Sequence, residues 1–382
     1  MALIRRQLQQ IIKDRLFHGK AIILIGARQV GKTTLFEQIL NDPGLGVTKD
    51  QILTVYCDDA DSRSFIENAS LADLRQQLAG KRIVMVDEAQ RIKGIGLTLK
   101  LITDHFKDVQ LLVTGSSSLM LQGALNEPLT GRKFEYHLYP LSTREIYDEG
   151  NLLLVRQTFE SRLIFGSYPD VVTGFDNPRD LLMNLSGSYM YQDLLSMEGV
   201  RKPVLIEKLL VALALQVGSE VSYSELAQTV GTDNKTVEKY VDLLEKCYIV
   251  FRLNSLSRNL RIELKKSKKI YFYDNGVRNA VIQQFAPLSM RNDTGQLWEN
   301  FFISERIKRN HYTGHYCNIY FWRTQTQQEI DYIEECDGTM TAIEMKWNAK
   351  KSNTRFPQSF LDNYDVKETA VITPDNYLQW LV

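Results

Sequence analysis

Gly26-Ala27-Arg28-Gln29-Val30-Gly31-Lys32-Thr33 decides the fold, because it follows the apolar run Ala21-Ile-Ile-Leu-Ile25 and opens a helical stretch, Lys32 to Leu40. The pattern G-x-x-x-x-G-K-[ST] between a buried strand and a helix reads as a phosphate-binding loop. Its glycines let the backbone fold around an anion, and successive N–H groups point inward to form a nest. The positive end of the helix faces the same phosphates. Lys32 is placed to reach the β- and γ-phosphates, Thr33 offers a hydroxyl to Mg²⁺, and Thr34 completes the nucleotide-binding set.

Around this loop the composition is balanced. Lys+Arg and Asp+Glu both number 46 in 382 residues, so a nucleic-acid surface would have to be a local patch. The length exceeds what one hydrophobic core organises, and two to four domains are expected. Cys57, Cys247, Cys317 and Cys336 form no C-x-x-C pair and read as reduced thiols. The N-terminus lacks a signal-peptide core, and no apolar run is long enough for a membrane helix. A soluble, cytoplasmic protein without a membrane partner is expected.

Strand candidates alternate with helical stretches at 22–25, 52–57, 82–87, 110–114 and 135–138, which argues a buried parallel sheet with helices on both faces. Arg82-Ile-Val-Met-Val-Asp87-Glu88 reads as a Walker B strand. Asp87 is expected to hold the Mg²⁺ water shell, and Glu88 to orient or deprotonate the attacking water. The next strand ends in Thr114-Gly-Ser116-Ser-Ser, where a polar tip senses the γ-phosphate or merely caps a helix. Arg132 is either an arginine finger, in trans if the chain forms a homo-oligomer, or a surface residue.

Gly26–Thr33, Val86-Asp-Glu-Ala-Gln90, Thr114-Gly-Ser-Ser-Ser118 and Gly131-Arg132 ahead of Tyr139-Pro-Leu-Ser142 together resemble a family of prokaryotic AAA-type ATPases. Members of that family carry a C-terminal domain catalogued as DUF4143. The motifs recur in matching order over essentially the whole chain. The resemblance implies ATP or ADP with Mg²⁺ as cofactors, hydrolysis of ATP, and a small helical lid over the nucleotide at 142–202. Among Arg144, Arg156, Arg162 and Arg179 the sequence does not single out a lid arginine.

From Pro203 an apolar helix leads to Val221-Ser-Tyr-Ser224, a second helix ending at Val230, a turn at Gly231-Thr-Asp-Asn234 and a third helix to Lys246. A strand at Tyr248–Leu253 follows. That order predicts a winged helix-turn-helix, with Lys235, Thr236 and Lys239 facing outward toward DNA. Between 252 and 269 lie Arg252, Arg258, Arg261, Lys265, Lys266, Lys268 and Lys269 against one acid, Glu263, a local basic footprint. The competing readings are a protein-docking module and a solvated loop.

In the last third, Glu299 sits on a predicted helix, Asp331 on one strand, and Glu344 and Lys346 on the next. Alternate residues of a strand share a face, so Glu344 and Lys346 point together. Glu…Asp-x₁₂-Glu-x-Lys resembles the PD-(D/E)xK phosphodiesterases, which implies a second Mg²⁺ or Mn²⁺ on the carboxylates and a lysine beside the attacking water. His311, His315 and Cys317 are too few for a zinc site and read as a polar loop. The expected fold is therefore a multidomain α/β chain. It comprises a P-loop core at 1–141, a helical lid at 142–202, a winged helix at 203–269 and a restriction-endonuclease-like α/β domain at 270–382. The expected function is a nucleotide-driven ATPase acting on DNA. A metal-dependent endonuclease and a non-catalytic regulator of a protein partner are the alternatives.

Overall fold

The computed structural model describes residues 3–116, 128–174, 177–189, 202–257, 267–351 and 354–382. Its N-terminal sheet contains β1 (Ala21–Ile25), β2 (Ile52–Tyr56), β3 (Ile83–Asp87), β4 (Gln110–Gly115) and β5 (Lys133–His137), in the order β2-β3-β4-β1-β5. All four pairings are parallel. β1 and β3 are buried along their whole length, which is why they read as uninterrupted apolar runs. The parallel arrangement also gathers the C-terminal tips of β1, β3 and β4 along one edge, where Gly26, Asp87 and Thr114 lie.

Beyond β5 the chain turns helical at Thr143–Phe165, capped by a box in which Ser142 and Glu145 bond each other's backbone. Gly150 and Asn151 leave helical geometry and break this element in two. Shorter helices at Pro169–Thr173 and Pro178–Asn184 follow, each with proline in its first turn.

The second sheet has seven strands. β6 (Glu220–Val221), β7 (Val250–Ser255) and β8 (Lys268–Phe272) join β9 (Asn318–Arg323), β10 (Glu329–Cys336), β11 (Thr339–Met345) and β12 (Val366–Ile372) in the order β12-β11-β10-β9-β7-β8-β6. Helices Pro203–Leu215, Tyr223–Val230 and Asn234–Lys246 are interleaved with the first three strands, so the element order is helix, strand, helix, helix, strand, strand. β7 pairs in parallel with β9 through Asn254↔Tyr320 and Ser255↔Phe321. The expected domain boundary between 269 and 270 falls inside β8, and the units on either side of it share one sheet.

Helix Thr294–Tyr312 is the buried axis of the C-terminal half: Leu297, Trp298, Phe302 and Ile303 are fully enclosed. Trp298 packs against Phe159, Phe301, Trp347 and Tyr377. The core is continuous from β1 to this helix. A smaller cluster, including Leu256, Trp322, Ile333 and Phe360, lies under the sheet around β9–β11.

Candidate functional site

The phosphate loop leaves β1 at Gly26, where a Cβ would lie 2.2 Å from the carbonyl oxygen of Leu138, so only glycine fits. Gly31 closes the loop with φ +91°, and the helix Lys32–Leu40 begins immediately after it. Lys32 is 4% exposed and donates to the carbonyls of Gly26 at 3.1 Å and Ala27 at 2.9 Å. Its ammonium thus lies across the mouth of the loop, where phosphates would replace those carbonyls as partners.

β3 and β4 complete the site. Thr33 donates to Asp87 Oδ1 at 2.9 Å, and Thr114 donates to the same oxygen at 2.6 Å. Burial pushes the Asp87 carboxyl above its ordinary value, and the Thr114 and Thr33 hydroxyls pull it back. Glu88 takes a left-handed backbone, φ +53°, the kind of local strain that collects at functional sites. Its N–H donates to Thr114 Oγ1 at 2.9 Å, and its carboxylate lies 3.8 Å from Lys32 Nζ. The Gln90 amide donates both to Glu88 and, at 2.8 Å, to Ser116. Hydroxyl and carboxylate oxygens are the donors a hard cation such as Mg²⁺ takes, so Thr33 and Asp87 fit that ion.

The cleft beside Lys32 and Glu88 has a volume of about 310 Å³. Its walls include Leu3, Ile4 and Arg6 from the N-terminal segment and Pro169, Asp170 and Thr173 from the short helix beyond the core. Sequence reasoning missed these residues. Arg6 is the most telling: it is 5% exposed, with Nη1 on the Val30 carbonyl and Nη2 on the Tyr139 carbonyl, both at 2.6 Å. Its Nε meets Glu145 at 3.0 Å. Arg6 therefore ties the phosphate loop to the start of the Thr143–Phe165 helix. No local pattern marks it, because its partners lie 24 and more residues away.

Arg132 stands apart from this site. Ala21, at the start of β1, bonds the Arg132 carbonyl, which places Arg132 at the opposite end of the sheet from the loop. Its side chain pairs with Asp104 at 2.7 Å. Arg162 is also committed elsewhere, buried against Glu305, Thr143 and Ser167.

A second group of charges converges on the C-terminal sheet. The antiparallel register Tyr332↔Ile343 sets Asp331 beside Glu344. Lys346 Nζ lies 2.5 Å from Glu344 and 3.7 Å from Asp331, and Asp331 also accepts the Met345 N–H at 2.8 Å. Glu299 reaches in from helix Thr294–Tyr312, accepting from the Tyr271 hydroxyl at 2.5 Å and facing Lys269 at 3.3 Å. Burial pushes the Glu299 and Glu344 carboxyls up to about 7, and the Asp331 charge adds to both shifts. Glu329, which sequence reasoning did not single out, lies 2.6 Å from Lys269. Four carboxylates thus face two ammonium groups.

Lys269 is a correction to the expected DNA face. It is 2% exposed and bridges Glu299 and Glu329, so it belongs to the acidic cluster and is closed to a phosphate backbone. The alternation of β8 is the reason: Lys268 and Lys269 point to opposite faces, and Lys268 rests on the Tyr223 ring at 4.9 Å. Arg252 is likewise held by Asp242 and Glu245. Arg258, Arg261, Lys265 and Lys266 lie outside the described residues. On helix Asn234–Lys246, Lys235 and Lys239 are exposed, whereas Thr236 folds back onto the Asp233 cap.

The cysteines bring a second correction. Cys317 and Cys336 are joined by a disulfide, not held as separate thiols, because the β9–β10 register places them opposite each other with Cα atoms 4.6 Å apart. Cys57 and Cys247 are buried and belong to no disulfide. His311 accepts the His137 backbone N–H at 3.3 Å and packs edge-on against the His137 and Tyr139 rings.

A five-stranded parallel sheet carrying a phosphate loop, with threonine and carboxylate from neighbouring strand tips, defines an AAA-type P-loop domain. Residues 18–147 match the AAA domain family and residues 294–381 match a domain of unknown function, DUF4143. The chain thus carries an AAA-type P-loop domain and a DUF4143 domain over those residues. Residues 156–288, between them, match another domain of unknown function, DUF8612. A Haemophilus influenzae protein described only as uncharacterized is 27% identical over 99% of this chain and 95% of its own length. An uncharacterized protein of Mycobacterium tuberculosis is 26% identical over 99% of this chain and 81% of its own. Among solved structures, the Walker-type ATPase paby2304 of Pyrococcus abyssi is 16% identical, with TM-score 0.47, over 73% of this chain and 96% of its own. The AMPPCP-bound DnaA of Aquifex aeolicus is 14% identical, with TM-score 0.35, over 64% and 89%. Among the described residues no helix is long and apolar enough to cross a membrane.

Proposed function

We propose that the chain binds ATP with Mg²⁺ at the phosphate loop and hydrolyses it. The observation that carries this reading is the convergence of Thr33 and Thr114 on one oxygen of Asp87, with Lys32 and Glu88 3.8 Å apart beside it. In this reading Lys32 and the loop amides hold the β- and γ-phosphates, and Thr33 and Asp87 hold the Mg²⁺ shell. Glu88, anchored by Thr114 and Gln90, accepts a proton from the attacking water. Leu3 and Ile4 offer the apolar wall that a nucleobase needs. The test pairs two variants: Lys32→Ala should lose nucleotide binding, and Glu88→Gln should bind ATP but not turn it over. Turnover by Glu88→Gln at the wild-type rate would remove Glu88 from its role.

A second reading concerns the C-terminal half and rests on the contact of Lys346 with both Asp331 and Glu344. Those carboxylates, with Glu299, supply the oxygen ligands Mg²⁺ or Mn²⁺ prefers. Lys346 is poised to orient a water against a phosphodiester. The element order before β8 supports a winged helix whose helix Asn234–Lys246 presents Lys235 and Lys239 to DNA. Nucleotide state would then govern a DNA-directed tail. Nicking of supercoiled plasmid with Mn²⁺, compared between wild type and Lys346→Ala, tests the chemistry. An equal rate in both would refute it.

A further inference from the structure

Outside both sites, the structure brings His315, Cys317 and Cys336 together at the far end of the β9–β10 pair from its turn. One ligand atom from each lies within 4.8 Å of the others, and His315 Nε2 is 3.3 Å from Cys336 Sγ. We infer that these three residues form a site for a thiophilic divalent cation, Zn²⁺ foremost, available when the cysteines are reduced.

Three observations support it. An imidazole nitrogen, His315 Nε2, already faces the sulfur pair within hydrogen-bonding reach of Cys336 Sγ. A tetrahedral Zn²⁺, at about 2.3 Å from sulfur and 2.0–2.1 Å from nitrogen, sets those two atoms roughly 3.5 Å apart. The observed 3.3 Å is within a small side-chain adjustment of that. The ligands also come from separate segments: His315 and Cys317 flank Tyr316 in the connection after helix Thr294–Tyr312, and Cys336 ends β10. An ion held there pins the end of the helix to the sheet that carries Asp331. The His315 backbone already fastens this connection, donating to the Asn310 carbonyl at 2.8 Å.

The chemistry closes as follows. A dithiol reductant gives two electrons to the Cys317–Cys336 bond and becomes a disulfide itself, while two protons complete the thiols. Zn²⁺ then binds both thiolates and neutral His315, releasing two protons to solvent. Two sulfurs and one imidazole leave a fourth position for water. Disulfide and metal are alternative states of one site, and oxidation expels the ion.

The test uses the full chain, reduced with a phosphine, and Co²⁺ as the optical probe. Only a sulfur-ligated cobalt gives thiolate-to-metal charge-transfer absorption, so carboxylate-bound cobalt at Glu344 is silent there. Wild type should show that band at one equivalent, and Zn²⁺ should displace it. Cys317→Ser and Cys336→Ser should abolish it. Losing His315 in His315→Ala should cost at least the roughly 10–100-fold that outer-shell changes cost. Circular dichroism of each variant checks that it is folded. Absence of the band in the reduced wild type, or its survival in a folded Cys336→Ser, overturns the proposal and leaves the pair as a disulfide only.

Discussion

The metal binding proposed at Glu299, Asp331 and Glu344 should depend steeply on pH, and the carboxylates set the size of the effect. Glu299 and Glu344 are both pushed up to about 7 by burial and by the crowding of carboxylates. A cation needs both ionised, so binding expels whatever protons they hold. At pH 6 each carboxyl is protonated in about ten molecules of eleven, and at pH 8 in about one of eleven. The ionised fraction therefore rises about tenfold per group, and Mn²⁺ affinity should rise about 100-fold from pH 6 to pH 8. Near pH 7 about one proton should be released per ion bound, half from each group. Isothermal titration of Mn²⁺ in buffers of different ionisation heat counts that proton directly. In Glu299→Gln one titrating group is gone, so the rise should shrink to about tenfold. The apo protein should show the complementary trend. A carboxyl raised from 4.5 to about 7 in the folded state stabilises below 4.5, and that stability is lost as pH rises through 7. A heat independent of buffer, or an affinity flat across this range, would refute the idea that these carboxylates share one ion.

Gly26→Ala should cost nucleotide binding and stability together, because the new Cβ meets backbone 2.2 Å away; thermal shift with and without ATP would read both. Glu305→Gln leaves Arg162 and Lys308 buried against a neutral partner. Breaking such a network costs about 3–5 kcal/mol. Calorimetry should show a lowered transition, and an unchanged one would mean water reaches the site. Lys235→Ala with Lys239→Ala should weaken DNA binding and flatten its log–log salt slope by roughly 0.9 per lost phosphate contact, measured by fluorescence anisotropy. An unchanged slope would make both lysines solvated bystanders.

The parts of this fold that sequence shows best are those fixed by local rules. β1, β3 and β4 are buried on both faces, so their apolar runs mark them, and the loop after β1 needs glycine at Gly26 and Gly31 for steric reasons alone. Glu344 and Lys346 share a face by strand alternation, which places one beside the other with no knowledge of the tertiary fold. What sequence hides is register and distant partnership. Lys268 and Lys269 are neighbours in a basic run, yet alternation sends one to the Tyr223 ring and the other into the acidic cluster. Cys317 and Cys336 meet only because β9 and β10 pair in one particular register. Arg6 bonds the phosphate loop from Arg5-Arg6-Gln7, a polar stretch that carries no motif. Arg132 looks apt for a phosphate, yet sheet order puts it at the opposite end of β1 from its own chain's loop.

The phosphate loop and the acidic cluster are linked through one helix, which gives nucleotide binding a route to the cluster. Helix Thr294–Tyr312 offers Glu299 to the cluster and, six residues or roughly 9 Å further along, Glu305 to the P-loop half. Glu305 accepts the Thr143 N–H at 2.5 Å, Lys308 donates to the Leu141 carbonyl at 3.3 Å, and Tyr312 accepts the Tyr139 N–H at 3.0 Å. Residues 139–145 are also where Arg6 delivers its bonds, with its other arm on Val30 of the phosphate loop. Were the loop to shift on binding phosphate, these bonds would carry the shift to Arg6, to the segment it holds, and to the helix bearing Glu299. Coupling of this kind is reciprocal: if ATP changes the affinity for Mn²⁺ by some factor, Mn²⁺ must change the affinity for ATP by the same factor. Measuring both affinities with and without the other ligand, in wild type and in Arg6→Lys, tests the path. Lysine keeps the charge but cannot bond Val30, Tyr139 and Glu145 at once in the guanidinium's planar fork, so the factor should fall toward one while each separate affinity persists. An undiminished factor in Arg6→Lys would take Arg6 out of the path.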